Sequence, residues 1–184
     1  MRAELHAQVR REPVALKNRS NVVIRPLNLD DGKILGDFYE AIPAADVRFY
    51  CPHALTREKA MENAAAALNP YRVVLVVEAA NGQIGGYAWF QWTDDRSPAS
   101  TFGICIRRGF QGQGLGKMLM TRLLRIAQTD GPPVMSLTVQ KANPRAIELY
   151  RSMDFEIVRE QMRPARPEWN MESEPEYCME RRVR

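Results

Sequence analysis

The chain has 184 residues, a length that suits one domain. Its 45% hydrophobic and 26% charged residues are ordinary for a globular fold and exclude disordered, collagenous and membrane-spanning classes. The net charge is only +4, from 21 Arg and 5 Lys scattered among 22 acids, which argues against a nucleic-acid docking surface.

Three cysteines, Cys51, Cys105 and Cys178, are odd in number and far apart, so neither a disulfide framework nor a CxxC zinc site is expected. The first residues hold no apolar core of signal-peptide length, and no stretch approaches the ~18 apolar residues of a membrane span. A reducing, cytoplasmic setting without a membrane partner follows as the expectation.

Residues 1–20 carry five positive charges and little periodicity, and read as an N-terminal arm, either loose or lying as a helix on the body. Asn21 to Leu27 is a short β-branched strand stopped near Pro26. Asp30 or Asp31 can cap a helix reaching about Ala41, with Ile34, Leu35, Phe38 and Ile42 on one face. Thr56 opens a second helix toward Leu68. Between them lies a Pro-broken loop rich in aromatics, including Phe49, Tyr50 and His53.

From Arg72 the period changes to that of strands. Asn81-Gly82 between two apolar runs predicts a hairpin joining 72–78 to 84–92, and a turn at Asp94–Pro98 leads to a third strand, Ser100 to Arg107. A helix over 115–129, a strand over 134–140, a helix over 144–153 and a strand over 155–162 follow. A last strand, 177–183, returns after a Pro-rich connection over 163–176. Residues 21–184 therefore read as a single mixed α/β domain.

The segment Gln111-Gly112-Gln113-Gly114-Leu115-Gly116-Lys117 joins a strand to an amphipathic helix. A loop without Cβ atoms lets backbone N–H groups converge on an anion, and the helix N-terminus adds a positive dipole end. A phosphate or pyrophosphate is the natural occupant. A Walker A loop would need Gly and Ser or Thr where Gln111 and Met118 stand, and a dinucleotide fingerprint would need Gly at Lys117.

What remains, Q-G-x-G-x-G ahead of a helix, resembles the pyrophosphate loop of the GNAT superfamily of acyl-coenzyme A dependent N-acyltransferases. Downstream, Asn143 to Phe155 is similar to that family's N-x-x-A-x-x-x-Y-x-x-x-G-F segment, with Asn143 as N-cap and Pro144 at the first helical position. The resemblance covers about residues 72–160. It departs at Asp154, which stands for the usual Gly and must tolerate a left-handed conformation. It departs also at Thr138, where family members that modify protein N-termini often carry Glu.

The resemblance implies a GNAT-like fold, a central, mostly antiparallel twisted sheet flanked by about four helices. It implies acetyl-CoA as cosubstrate, with Gln111, Gly112, Gln113, Gly114, Leu115, Gly116 and Lys117 at the pyrophosphate. Ile104, Cys105 and Ile106 would lie along the pantetheine arm, and Asn143 near the sulfur. Tyr150 would serve the departing thiolate. The expected reaction is direct transfer of acetyl to an amine-bearing acceptor in a ternary complex, by a monomer or homodimer. A non-catalytic acyl-CoA sensor is the alternative.

An amine with a reference pKa of about 10.4 needs a proton acceptor before it can attack. Glu78, ending the second strand, is the first candidate base, with Asp94 and Asp95 behind it. Phe49, Tyr50 and His53 are expected at the acceptor pocket, with Trp89, Phe90 and Trp92 either there or in the core. Cys105 is read as a small buried hydrophobe and not as an acyl carrier.

Overall fold

The computed structural model describes residues 10–50, 52–169 and 171–184. Eight strands form one sheet: β1 (Glu12–Ala15), β2 (Asn21–Pro26), β3 (Arg72–Ala79), β4 (Ile84–Gln91), β5 (Ala99–Ile106), β6 (Val134–Gln140), β7 (Glu156–Arg163) and β8 (Glu174–Arg182). Their spatial order is β1-β2-β3-β4-β5-β6-β8-β7, antiparallel everywhere except between β5 and β6. Among the described residues five α-helices accompany the sheet: α1 (Gly32–Glu40), α2 (Ala44–Val47), α3 (Arg57–Ala65), α4 (Leu115–Thr129) and α5 (Pro144–Arg151). No helix among the described residues is long and apolar enough to cross a membrane.

The hairpin between β3 and β4 turns on Gly82, whose φ of +80° is the conformation that Asn-Gly predicts. Residues 72–77 of β3 are buried without alternation, because helices cover that part of the sheet on both faces. On one face, Leu119 and Leu123 of α4 and Ile147 of α5 meet Leu75, Phe90, Phe102 and Leu137. On the other, Leu35 and Phe38 of α1 and Ala60 of α3 meet Val74, Val76 and Tyr87. That second cover stops at β5. Thr138, Gln140, Gln161 and Glu176 carry the same face onward as a polar surface.

Three local expectations hold at their named residues. Thr56 Oγ1 accepts from Lys59 N at 3.2 Å and caps α3, and Asn143 Oδ1 accepts from Ala146 N at 3.2 Å and caps α5. Asp154 adopts φ +60°, the left-handed turn that the missing glycine would have made.

Three expectations are corrected. Residues 12–15 of the arm are an edge strand: Val14 pairs with Val22, and Glu12 forms an ion pair with Arg122 of α4. The five charges of this segment hid four residues of ladder. A fifth helix, α2, forms in the aromatic loop, entered by Pro43 in an extended conformation. The last strand begins at Glu174, not 177, because the sheet face it joins accepts its glutamates.

Candidate active site

Strands β5 and β6 pair only at Ala99–Thr101 against Val134–Ser136, and beyond Thr101 the ladder stops. The gap leaves half of β5 with unpaired backbone groups. Arg107 N–H reaches across to Gly85 O of β4 at 3.0 Å, while Ser100 O accepts from Ser136 Oγ on the β6 side at 2.9 Å. Because groups alternate along a strand, Ile104 and Ile106 turn their N–H and C=O into the gap. Gln111 Nε2 already uses Ile106 O, at 2.8 Å.

A cavity of about 560 Å³ runs from this gap to the glycine loop. Ile104, Cys105, Ile106, Gln111, Gly112, Gly114, Leu115, Gly116, Lys117 and Asn143 all line it, and Tyr150 closes its inner end. Gly112 and Gly114 have φ of +78° and +85°, so the loop's N–H groups are turned by a backbone that side chains disfavour. Gly116 acts differently: a Cβ there would stand 2.9 Å from Leu149 Cδ2, so its bareness lets α4 and α5 touch.

Gln113 is the one loop residue that leaves the cavity; its Oε1 accepts from Asn18 N at 3.1 Å and ties the loop to the N-terminal hairpin. Three cations that sequence reasoning missed join the wall: Lys17, Arg108 and Arg145. Arg145 donates to Gln111 Oε1 at 3.1 Å, and Arg108 grips Asp46 of α2 through two bonds of 2.7 Å. The Arg108 pairing holds the Asp46 carboxyl below its usual range. Arg145 could have been sought by asking which cations flank each helix start, and Arg108 adjoins the loop in sequence; Lys17, in the turn between β1 and β2, carries no such local signal.

A second cavity, about 590 Å³, opens on the polar half of the sheet and meets the first at Phe49, Tyr50, Ile104 and Tyr150. Trp89 forms its wall, with Trp89 Nε1 donating to Tyr50 Oη at 3.0 Å. Phe90 is wholly buried in the core, with Trp92 stacked on it. Thr138 faces this cavity, as does Glu176, which is 4% exposed and accepts from Gln161 Nε2 at 2.6 Å.

Glu78 is elsewhere. Its Oε2 is held by Arg25 Nε at 2.6 Å, in a cluster where Arg25 also makes two bonds to Asp31, and it lines neither cavity. A carboxylate so engaged is a fold constraint on β2 and β3, which corrects its reading as a base. Asp94 is a turn acid: its Oδ1 accepts from Arg96 N at 2.8 Å, and neither it nor Asp95 lines either cavity. His53 lies beyond the second cavity, and His6 and Cys51 lie outside the described residues.

At the junction the Tyr150 hydroxyl has no hydrogen-bond partner among the described residues, although its ring is seated on Phe102 and Phe155. Burial pushes the phenol well above its ordinary range, so it remains a donor. Burial likewise pushes the Cys105 thiol up, to about 12, which keeps it protonated at neutral pH.

Placing a β-branched residue at Gly114 forces φ +85° on a side chain that disfavours it, at a cost of about 1–2 kcal/mol. The nearest atom to a Cβ is Met118 Cε at 3.7 Å, so the strain sits in the loop's backbone and not in the core. Gly114→Val is expected to stay folded by circular dichroism and to lose at least tenfold in coenzyme affinity by calorimetry.

Two curated relatives are similar over part of their length. The chain is 29% identical over 96 residues to mycothiol acetyltransferase of Thermobifida fusca, covering 48% of this chain and 30% of that protein. It is 30% identical over 86 residues to an L-methionine sulfoximine/L-methionine sulfone acetyltransferase of Salmonella typhimurium, covering 45% and 50%. The chain thus spans half or less of these relatives. A GNAT-family acetyltransferase from Streptococcus pneumoniae has the same fold, with a TM-score of 0.72 at 24% identity over 89% of this chain and 99% of that one. The acetyltransferase (GNAT) family model matches residues 38–155, a span that holds the glycine loop, the parted strands and Tyr150, and the chain belongs to that family.

Proposed function

We propose that this chain is an N-acetyltransferase that moves an acetyl group from acetyl-CoA to a primary amine by direct attack in a ternary complex. One observation carries the reading: two cavities, one lined by an anion-binding loop and one by polar side chains, meet at Tyr150 and the free edge of β5. A coenzyme and an acceptor entering from opposite sides would touch only there.

The glycine loop and the start of α4, with Lys17, Lys117, Arg108 and Arg145 around them, suit a pyrophosphate and its neighbouring phosphate. The bound thioester supplies the acetyl group. Ile104 and Ile106 offer N–H and C=O to the amides of an extended arm, as an added strand would, and Ile104 N–H lies where the thioester oxygen gains charge. On the acceptor side, Glu176 takes the proton of the attacking amine; Gln161 fixes one carboxylate oxygen and leaves the other free.

Tyr150 then donates a hydrogen bond to the departing sulfur. A phenol held above its ordinary 10 does not hand its proton fully to a thiolate whose thiol has a pKa of about 8.5, so stabilisation of charge is its part.

A titration with acetyl-CoA followed by a thiol-release screen of pooled amines, amino acids, polyamines and peptides tests the proposal. Saturable binding and release with at least one pool are expected. Binding without release from any pool would instead make the chain an acyl-CoA sensor. Cys105→Ala is expected to retain activity within about twofold, with no acetyl adduct on the intact wild-type protein, because a thiol pushed up to about 12 is no nucleophile at pH 7. An acetyl-Cys105 mass that disappears on adding acceptor would overturn direct attack.

A further inference from the structure

Behind Trp89 and Gln91 the second cavity adjoins a third, of about 390 Å³, into which Arg72 of β3 projects. Arg72 is 8% exposed, and no carboxylate among the described residues pairs with it. Its Nη2 donates to Tyr87 Oη at 2.7 Å, and its buried Nε has no hydrogen-bond partner.

The remaining groups here are neutral or already matched. His53 Nδ1–H donates to Ala54 O at 2.8 Å, which leaves Nε2 to accept from Asn63 Nδ2 at 3.3 Å, the tautomer of an uncharged ring. Asn63 also donates to Tyr39 Oη at 2.8 Å. Lys59 and Glu62 at the rim pair with each other at 2.8 Å. Burial lowers the His53 pKa, and the nearby Arg72 and Lys59 lower it further. Among the described residues the cavity therefore holds one uncompensated guanidinium, and a buried charge without a counter-charge is expensive unless something brings one.

We infer that this third cavity is an anion subsite of the acceptor site, in which Arg72 receives a carboxylate or phosphate borne by the acceptor amine. The inference rests on the reading of the second cavity as the acceptor site.

The ladder supplies a ruler. Arg72 pairs with Gln91, and Gln91 with Thr101, two residues before Gly103 beside the transfer point. Two strand spacings across and two residues along put Arg72 about 12 Å from Gly103. An acceptor spanning the two sites thus carries its anion about 10 Å from its amine. A free amino acid, with the two groups adjacent, is too short.

The test uses 8-aminooctanoate, whose extended amine and carboxylate stand about 10 Å apart, its neutral 8-aminooctanamide, 4-aminobutanoate, and acetate or inorganic phosphate alone. Binding is read by calorimetry and by the His53 ring proton, whose pKa should rise when an anion neutralises Arg72. The long acid is expected to bind about ten- to a hundredfold more tightly than its amide, with the same ratio in kcat/KM. Arg72→Met should erase that ratio while melting no lower than wild type, since it removes an unpaired buried charge.

Equal kcat/KM for acid and amide would sink the subsite and keep the transferase. Selective binding of the acid, lost in Arg72→Met, with no thiol release from any amine would sink the transferase and keep the anion site. Acetate or phosphate alone shifting His53 as strongly as the long acid would overturn its being borne by the acceptor.

Discussion

Glu176→Gln is expected to lower kcat/KM by about 10²–10³ at pH 7, with coenzyme affinity unchanged. The two side chains have the same shape, and Glu176 lines the acceptor cavity but not the coenzyme cavity, so a loss confined to the chemical step isolates proton removal. The deficit should shrink as pH rises toward the acceptor's own pKa, because a free amine needs no base. A merely structural role would give a deficit that does not change with pH. The fold should survive, since trading a 4% exposed carboxylate for an amide removes a charge from a buried position. Steady-state rates from pH 6 to pH 10 check this, and a variant within twofold of wild type across that range would dismiss Glu176 as the base.

Glu176 also shows where sequence reading stops. The glycine loop and the Asn143–Phe155 segment are local devices: φ above zero at Gly112 and Gly114, a cap at Asn143, a turn at Asp154. Each is decided by neighbours within a few residues, so each is legible in order along the chain. The proposed base is decided by register. Glu78 and Glu176 are both strand glutamates, but Glu78 faces Arg25 across β2 and β3, whereas Glu176 faces Gln161 and the open half of the sheet. Nothing local separates them; only the pairing of β8 between β6 and β7 does.

The same limit explains β1 and Arg72. Glu12–Ala15 has four residues and little alternation, and becomes a strand because β2 offers an edge and Arg122 a partner for Glu12. Arg72 reads as the polar start of a strand. Its isolation appears only when the neighbours brought by β4, α3 and the loop before α3 prove to be Tyr87, Asn63 and a neutral His53.

Tyr150→Phe is expected to lower kcat by about 10- to 1,000-fold, or about 1.4–4 kcal/mol in the barrier, with little change in acetyl-CoA affinity. The hydroxyl spends no hydrogen bond on the described residues, so its donor is idle until charge develops on the sulfur. Stability should hardly move, because the ring contacts with Phe102 and Phe155, at 6.2 and 6.1 Å between centroids, are kept by phenylalanine. Burial holds the phenol well above its ordinary range, so the wild-type profile should show no alkaline decline from Tyr150 up to pH 10. Acyl donors with a more acidic thiol need less help in departing and should narrow the gap between variant and wild type, whereas a packing residue would leave that gap constant. Turnover by Tyr150→Phe at the wild-type rate would return Tyr150 to the core and leave Ile104 N–H and solvent to stabilise the thiolate.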